Sequence, residues 1–256
     1  MSYSLIDLEL GRISRLTFNE PEQANVMSPE MAPQFKAAVD DIKASPEARV
    51  VILTGKGRVF SGGGRLEMIE QLARGDWPAN RAYMLDFYRQ YMSLLELDIP
   101  VIAAINGAAV GAGLLVAMTA DLRIAAEDAK MGVNFVKLGL HPGLGGTFTL
   151  PLLMGYPRAA ELLYTGKLIT GSEAAAMGLV NRAVPRAEVM DAATAMAEEI
   201  AANAPLTMRA LKRNMRSRIF RELQMALDDE AAAQAAGGAE LIEGIAAAKE
   251  KRSPNF

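Results

Sequence analysis

Short apolar runs alternate with longer amphipathic segments along the N-terminal half of the chain. The β-branched runs at residues 50–54 and 101–105 are typical of strands that are buried on both faces. Further strands are predicted at residues 4–9, 14–18 and 122–125. Because strands that alternate with helices imply right-handed crossovers, the pattern predicts an α/β fold with a mainly parallel sheet.

Helix signals accompany these strands and dominate the chain after about residue 155. Ser28, Pro29 and Glu30 form a helix start, and that helix is predicted to end near residue 44. Thr170 and Glu173 have the spacing of a capping box. Alanine-rich helices are predicted at residues 157–166, 172–177, 187–203, 206–218 and 220–251, the last with a break near residues 237–238. The long helices at the end expose much apolar surface, so we expect some of them to contact a neighbouring subunit.

Composition and charge exclude several classes of protein. The 256 residues include 27 lysines and arginines against 30 aspartates and glutamates, and the net charge of −3 argues against nucleic-acid binding. Without cysteine, and with His141 as the single histidine, the chain offers no disulfide and no thiolate or multi-histidine site, so no metal is expected. The first twenty residues lack a signal-peptide core, and no apolar run reaches the ~20 residues of a membrane span. We therefore expect a cytoplasmic protein that does not bind a membrane.

Two glycine-rich segments each follow a predicted buried strand, at residues 55–66 and 106–113. Small residues at the end of a strand let the backbone approach a ligand closely and expose N–H groups at the start of the next helix. Neither segment matches a Walker A loop or a dinucleotide-binding fingerprint. Taken alone, each is explained as well by a tight turn with close helix packing.

Taken together, the two segments resemble those of the crotonase superfamily, the enoyl-CoA hydratases and isomerases. Residues 60–66 (FSGGGRL) are similar to the family's F-x-A-G-A-D-L segment, and residues 106–113 (NGAAVGAG) to its N-G-x-a-x-G-G-G segment. Similar stretches run the length of the chain, at residues 17–21 (TFNEP), 120–125 (ADLRIA), 139–147 (GLHPGLGGT), 163–167 (LYTGK) and 174–180 (AAAMGLV).

The resemblance implies a fold, a substrate and an assembly. Residues 1–195 would form the crotonase-type spiral of ββα units that carries an acyl-CoA site, and residues 196–256 a C-terminal helical trimerisation region. The substrate would be an acyl-CoA thioester, with coenzyme A as part of the substrate and no permanently bound cofactor. The assembly would be a homotrimer or a hexamer.

The resemblance also implies a mechanism in which two backbone N–H groups hold the thioester carbonyl. By position these donors are Gly64 and Ala112, which would stabilise an enolate or a tetrahedral oxyanion. The two glutamates of the family's hydratases correspond to Leu115 and Phe135, which can neither give nor take a proton. A carboxylate position of some isomerases and a dehalogenase corresponds to Gly143. We therefore expect isomerisation, decarboxylation or thioester cleavage rather than standard hydration.

Three titratable residues are candidates for the missing acid or base. His141 lies on a loop that borders the acyl pocket in relatives, where an imidazole can act as a base or a hydrogen-bond donor, although a packing or surface role is the more common explanation. Glu67 and Glu70 share one face of the helix after the first glycine-rich segment, where a solvated helix face is the alternative.

Other polar side chains are weaker candidates for a role in the site. Asn134 is placed to hold a water or a substrate carboxylate. Arg65 replaces the family's usual aspartate and would meet a substrate carboxylate, a CoA phosphate or a surface partner. Tyrosines at helical spacing belong to a core more often than to a site. The three in question are Tyr83, Tyr88 and Tyr91.

The remaining implied contacts surround coenzyme A and the acyl group. By position, the backbone of Asn25, Val26 and Met27 borders the adenine, and Lys251 meets the CoA phosphates, often across a subunit boundary in relatives. Ala248 replaces an aromatic residue that usually adds a nucleotide contact. The other implied substrate contacts lie beside the oxyanion donors: Gly62, Gly63, Leu66, Gly111, Leu115 and Phe135.

Two other functions stay open from the sequence. A β-diketone hydrolase of the same fold would not use CoA and would cleave a carbon–carbon bond with His141 as its base. A non-catalytic homologue would bind acyl-CoA without turnover, and the apolar residues at positions 115 and 135 favour it.

Overall fold

The computed structural model describes residues 3–217, 219–236 and 238–256, which fold around two β-sheets. In the six-stranded sheet the strand order is β1-β2-β3-β5-β7-β9, and in the three-stranded sheet it is β4-β6-β8. β1 pairs with β2 in antiparallel fashion, and the other neighbours pair in parallel. The strands are β1 (Ile6–Glu9), β2 (Ile13–Phe18), β3 (Val50–Gly55), β4 (Val59–Ser61), β5 (Val101–Ile105), β6 (Ala108–Val110), β7 (Leu122–Ala126), β8 (Met131–Gly132) and β9 (Arg182–Val184). The predicted, mainly parallel sheet is confirmed.

Helices cover the sheets and form the C-terminal quarter of the chain. They are α1 (Met31–Ala44), α2 (Leu66–Arg74), α3 (Trp77–Tyr91), α4 (Ala112–Thr119), α5 (Gly146–Met154), α6 (Tyr156–Thr165), α7 (Gly171–Ala176), α8 (Val189–Ala201), α9 (Pro205–Ser217), α10 (Phe220–Ala235) and α11 (Ala239–Glu250). Short 3₁₀ turns add Pro21–Gln23, Met92–Glu96, Phe135–Leu138 and Arg186–Glu188. In the described part of the chain, no helix is long and apolar enough to span a membrane, and no cluster of three acidic or histidine side chains is placed to hold a metal ion.

The central strands owe their position to their apolar sequence. Every residue of β3 and of β5 is buried, because β-branched and alanine side chains fill both faces of these strands. α8 packs across β3, β5 and β7 and covers one face of the sheet. Residue 195, where we expected the core to end, therefore lies inside a helix that packs on the sheet.

Helix boundaries follow the predicted caps closely. The Oγ of Ser28 accepts the N–H of Met31 at 3.1 Å, so Ser28 caps α1 although the helix itself begins three residues later. The capping box is confirmed, since the Thr170 hydroxyl accepts the Glu173 N–H and the Glu173 carboxylate accepts the Thr170 N–H. The long final helix is two helices, α10 and α11. Residue 237 of the predicted break, and residue 218 at the predicted end of α9, lie outside the described residues.

The small sheet brings the two glycine-rich segments together. β4 leads into residues 62–64 and β6 leads into Gly111. Because β4 and β6 pair in parallel, with Val59 beside Ala108, the segments that follow them emerge at the same end of the sheet. The sequence did not predict β4, β6, β8 or β9, since strands of two or three residues show too little alternation to be recognised.

Candidate active site

The backbone of the first glycine-rich segment turns the N–H of Gly64 away from the adjacent segment of the same chain, around Met27. The carbonyl of Gly63 accepts the N–H of Met27 at 2.7 Å, and the N–H of Arg65 is donated to the carbonyl of Met27 at 3.0 Å. In this parallel bridge the residue between Gly63 and Arg65 directs its N–H to the opposite side. Gly63 has a φ of +101°, which favours glycine, and a Cβ there would lie 2.7 Å from the Val110 carbonyl oxygen.

The second glycine-rich segment ends at the N-terminus of the buried helix α4. Gly111, with a φ of +56°, donates its N–H to the Gly132 carbonyl at 2.8 Å, and Ala112 is the first residue of the helix. The two segments touch, because a Cβ on Gly63 would lie 3.5 Å from the Ala112 nitrogen. Among the described residues, no protein acceptor takes the N–H of Gly64 or of Ala112. Two backbone donors are therefore available side by side, with the positive end of α4 behind one of them.

Gly64 and Ala112 line a small, mainly apolar cavity of about 30 Å³, the space of one water-sized group. Its apolar side chains are Met68, Ile69, Leu72, Met84, Phe87, Phe135, Leu140 and Leu144. Its polar side chains are Tyr88 and Gln234, and Gly143 completes the wall. Within the described chain, this lining includes no carboxylate and no imidazole. The cavity therefore combines two available backbone N–H donors with a described lining that lacks a carboxylate and an imidazole.

Tyr88 and Gln234 form a hydrogen-bonded pair at this wall. The Tyr88 hydroxyl donates to Oε1 of Gln234, and Nε2 of Gln234 donates to the His141 carbonyl at 2.6 Å. Tyr88 is 2% exposed. Burial raises the pKa of its phenol well above the usual value, and the nearby Glu230 carboxylate adds to the rise in pKa. The phenol therefore stays protonated at neutral pH.

Glu230 fixes the loop that precedes α5. Its carboxylate accepts the N–H of Gly145 at 2.7 Å, the N–H of Thr147 at 2.8 Å and the Thr147 hydroxyl at 2.6 Å. The side chain is almost completely buried, and burial raises the pKa of its carboxyl group above the usual value. The carboxylate thus supplies the acceptor that the start of α5 requires.

Neither Glu230 nor Gln234 was predicted from the sequence, although the pattern of α10 indicates a buried polar role for both. Leu223 and Leu227 form the buried stripe of α10, and Glu230 and Gln234 continue it at helical spacing. A polar residue on an apolar stripe is a sign of a buried hydrogen-bonded role.

The three predicted acid–base candidates do not reach the cavity. Glu67 is exposed, and Glu70 pairs with Lys249 of α11 at 2.6 Å, because the face of α2 that meets the cavity carries apolar side chains. His141 is half-buried, and its Nδ1 lies 2.7 Å from the Pro142 carbonyl oxygen. Its ring is not part of the cavity wall.

Most of the other polar candidates have partners within the protein. Arg65 pairs with Glu20 at 3.1 Å and with Glu30 at 3.3 Å, which supports the salt-bridge interpretation. Tyr83 is 38% exposed. The Tyr91 hydroxyl donates to the Ser28 carbonyl at 3.2 Å, and its ring packs within an aromatic cluster.

The two apolar residues that correspond to the family's glutamates lie at different places relative to the cavity. Phe135 lines the cavity, and its contact with substrate stays a prediction. Leu115 is completely buried, packs close to Gly146 and is not part of the cavity wall. Its contact with substrate stays a prediction. Asn134 lies beside Phe135 near Gly111.

The predicted CoA contacts surround the first glycine-rich segment. The Asn25 side chain is buried and hydrogen-bonds to the backbone of Glu20, Lys56 and Val59, so the side chain has a structural role. The adenine contact of its backbone stays a prediction. Val26 is half-buried beside the exposed Gly62. Leu66 is half-buried at the start of α2. Lys251 is exposed at the end of α11, and that helix packs on α2 of the same chain.

A sequence profile described as Enoyl-CoA hydratase/isomerase matches residues 10–256. The chain belongs to the enoyl-CoA hydratase/isomerase family. A relative named a putative enoyl-CoA hydratase, from Thermus thermophilus, is 35% identical over 258 residues, which cover 98% of this chain and 100% of the relative. The crotonase resemblance of the sequence is thus confirmed.

Solved structures of the family share the fold. An enoyl-CoA hydratase/isomerase from Pseudoalteromonas atlantica has a TM-score of 0.88 at 27% identity, covering 98% of this chain and 99% of that one. A variant of a decarboxylase domain of CurF from Lyngbya majuscula has a TM-score of 0.83 at 26% identity, covering 95% and 99%. The predicted crotonase-type α/β fold is confirmed, and the chain is an enzyme of the hydratase/isomerase family.

Proposed function

We propose that the protein is an acyl-CoA enzyme that stabilises a thioester enolate through the N–H groups of Gly64 and Ala112, and that it decarboxylates a 2-carboxyacyl-CoA. One observation carries the proposal: two available backbone donors face a cavity whose described lining has neither a carboxylate nor an imidazole. Oxyanion stabilisation is supported, and proton abstraction by a cavity base is not.

Compared with hydration, isomerisation and thioester cleavage, decarboxylation requires the fewest acid–base side chains in the cavity wall. Addition of water needs a base for the water and an acid for the α-carbon, a double-bond shift needs a base for the departing proton, and thioester cleavage needs an activated water. In decarboxylation the carbon–carbon bond breaks, its electron pair enters the enolate and CO₂ leaves, so no proton is removed. Each backbone donor typically contributes about 3 kcal/mol to the stabilisation of such an oxyanion.

One solved structure that shares the fold has a name that agrees with this choice. The CurF domain with which the chain shares its fold is named a decarboxylase, whereas the Thermus relative is named a putative hydratase. Isomerisation and thioester cleavage fit the wall less well for the reasons above. The β-diketone hydrolase is disfavoured, because the His141 ring lies outside the cavity wall.

The test compares substrates that demand different chemistry. The purified protein is incubated with malonyl-CoA and methylmalonyl-CoA, and CO₂ and the shortened acyl-CoA are quantified; crotonyl-CoA is followed in parallel by its conjugated-enone absorbance. We expect CO₂ release without formation of a 3-hydroxyacyl-CoA.

Three results would contradict the proposal. Fast hydration of crotonyl-CoA would show that an acid–base group outside the cavity wall serves the site. Tight acyl-CoA binding without turnover of any thioester would identify a non-catalytic homologue. Failure of free CoA to bind would favour the β-diketone hydrolase.

A further inference from the structure

The hydroxyl of Tyr88 occupies the space that a side chain at position 143 would fill. A Cβ on Gly143 would overlap the Tyr88 hydroxyl and would lie 3.0 Å from Nε2 of Gln234. The absence of a side chain at Gly143 therefore admits the phenol from α3 to the cavity wall. Among the described side chains that line the cavity with Gly64 and Ala112, Tyr88 is the one that carries a hydroxyl group.

The contacts of Gln234 determine which atom carries the proton. Because the His141 carbonyl can only accept, the amide of Gln234 turns its Nε2 toward His141 and its Oε1 toward Tyr88. Tyr88 must then donate to Oε1, so the phenol is held in its protonated form. Rotation about the phenol C–O bond turns this proton from Gln234 into the cavity.

We propose that Tyr88 is the catalytic proton donor to the α-carbon of the enolate, and that Gln234 is the positioning residue that holds its hydroxyl. This inference rests on the proposed decarboxylation. After CO₂ leaves, the enolate electron pair forms a C–H bond to the phenol proton as the phenol O–H bond breaks. Water returns a proton to the phenolate, and the hydroxide that results combines with CO₂ as bicarbonate. The net reaction consumes a 2-carboxyacyl-CoA and water and yields an acyl-CoA and bicarbonate.

Burial of Tyr88 agrees with a donor rather than a base. Its raised pKa keeps the phenol protonated before the reaction, and the Glu230 carboxylate disfavours a lasting phenolate, which favours return of the proton from water. A fixed donor on one wall also predicts that the proton reaches one face of the planar enolate.

The stereochemistry of protonation tests this role. Methylmalonyl-CoA is decarboxylated in D₂O, and the enantiomeric purity of the 2-deuterated propionyl-CoA is measured for the wild type, Tyr88→Phe, Gln234→Leu and the control Tyr91→Phe. Tyr91 is a matched control, since it is a buried tyrosine of α3 whose hydroxyl bonds to Ser28 away from the cavity.

We expect the wild type and Tyr91→Phe to give one enantiomer. Tyr88→Phe keeps the ring but loses the donor, so it should give racemic product, with turnover lowered by about 10²-fold where protonation limits the rate. Gln234→Leu should lower the enantiomeric purity, an effect that a packing defect alone would not produce. A single enantiomer from Tyr88→Phe would overturn the inference while leaving decarboxylation in place. No CO₂ release by the wild type would overturn the proposed function and this inference with it.

Discussion

Gly63 shows at the scale of one residue how the backbone orients a donor of the proposed oxyanion site. Its positive φ and its close approach to Val110 exclude a side chain, and its carbonyl is tied to Met27. The direction of the next N–H, that of Gly64, follows from these constraints. The neighbouring Gly62 is under no such restriction, because it is exposed and a Cβ there would meet its nearest neighbours at 3.5 Å.

Gly63→Ala is therefore expected to disturb the donor and lower kcat, whereas Gly62→Ala, at an implied substrate contact, is expected to change KM and leave kcat unchanged. The alanine at position 63 would be strained by about 1–3 kcal/mol. A displaced Gly64 N–H would lower turnover of the acyl-CoA substrate by roughly 10²-fold. Steady-state kinetics and urea unfolding of both variants make the comparison. Equal kcat values and equal free energies of unfolding for the two variants would show that the positive φ of Gly63 does not position the donor.

At the scale of elements, α10 holds one side of the active site. It packs on α3 and α5, its Glu230 fixes the start of α5, and its Gln234 fixes the Tyr88 hydroxyl. The cavity wall thus depends on contacts between residues that lie 83 to 93 positions apart in the chain. The geometry of the 141–147 loop is a property of this contact and not of the loop sequence alone.

Glu230→Gln is expected to loosen this contact. A glutamine has one acceptor oxygen, so its amide nitrogen would face a backbone N–H that needs an acceptor, at a cost of about 1–3 kcal/mol. Urea unfolding measures the loss, with Asp229→Asn as the control because Asp229 is exposed on the same helix. An equal free energy of unfolding for the two variants would contradict the role given to Glu230.

At the scale of the whole molecule, a buried lysine joins the C-terminal helices to the core. Lys212 of α9 donates to the Ile99 carbonyl at 2.5 Å and pairs with Asp121 at 2.8 Å. Burial lowers the pKa of its ammonium group from the usual 10.5 to about 8, although Asp121 opposes the change in pKa. The folded protein therefore loses this proton at a lower pH than the unfolded chain does.

This difference predicts a rise in stability with pH. Between pH 8 and pH 10.5 the unfolded chain binds more protons at Lys212, so the free energy of unfolding increases with pH. From pH 8 to 9.5 the gain is between about 1 and 2 kcal/mol, because the slope rises from half of 1.36 kcal/mol per pH unit at pH 8 toward its full value. The Lys212→Met variant should not show this gain. The difference in free energy of unfolding between wild type and variant, measured with urea, should therefore change with pH by this amount. If the free energies of unfolding of wild type and variant changed with pH in parallel, the lowered pKa of Lys212 would be ruled out.

The C-terminal helices also leave apolar side chains exposed. The exposed large apolar residues of α9 and α10 are Leu206, Leu211, Met215, Phe220 and Met225. We propose that this surface forms the interface of a homotrimer, or of a hexamer made from trimers, since an apolar patch of this kind usually marks a protein interface.

Analytical ultracentrifugation of wild type and of the double variant Leu211→Glu, Met215→Glu tests the interface. We expect a trimer or hexamer for the wild type and smaller species for the variant, because charge on the patch is costly to bury. A monomer of 27.4 kDa for the wild type would contradict the proposal.

The sequence by itself determined the α/β class, the buried strands β3 and β5, and the caps of α1 and α7. Through the family resemblance it also indicated Gly64 and Ala112, which are the proposed oxyanion donors. These features depend on local pattern and backbone, which a short stretch of residues specifies. The acid–base side chains were a different matter. Glu67, Glu70 and His141 have suitable chemistry, but the packing of α2 and of the 141–147 loop directs them away from the cavity.

Only the tertiary structure decided which polar groups reach the site. Tyr88, Gly143 and Gln234 lie far apart in the sequence, and α3, the loop before α5 and α10 bring them to one wall. No local spacing encodes that meeting, because it depends on how three elements pack. The backbone donors were therefore predictable from sequence, while the proton-bearing side chain beside them was not.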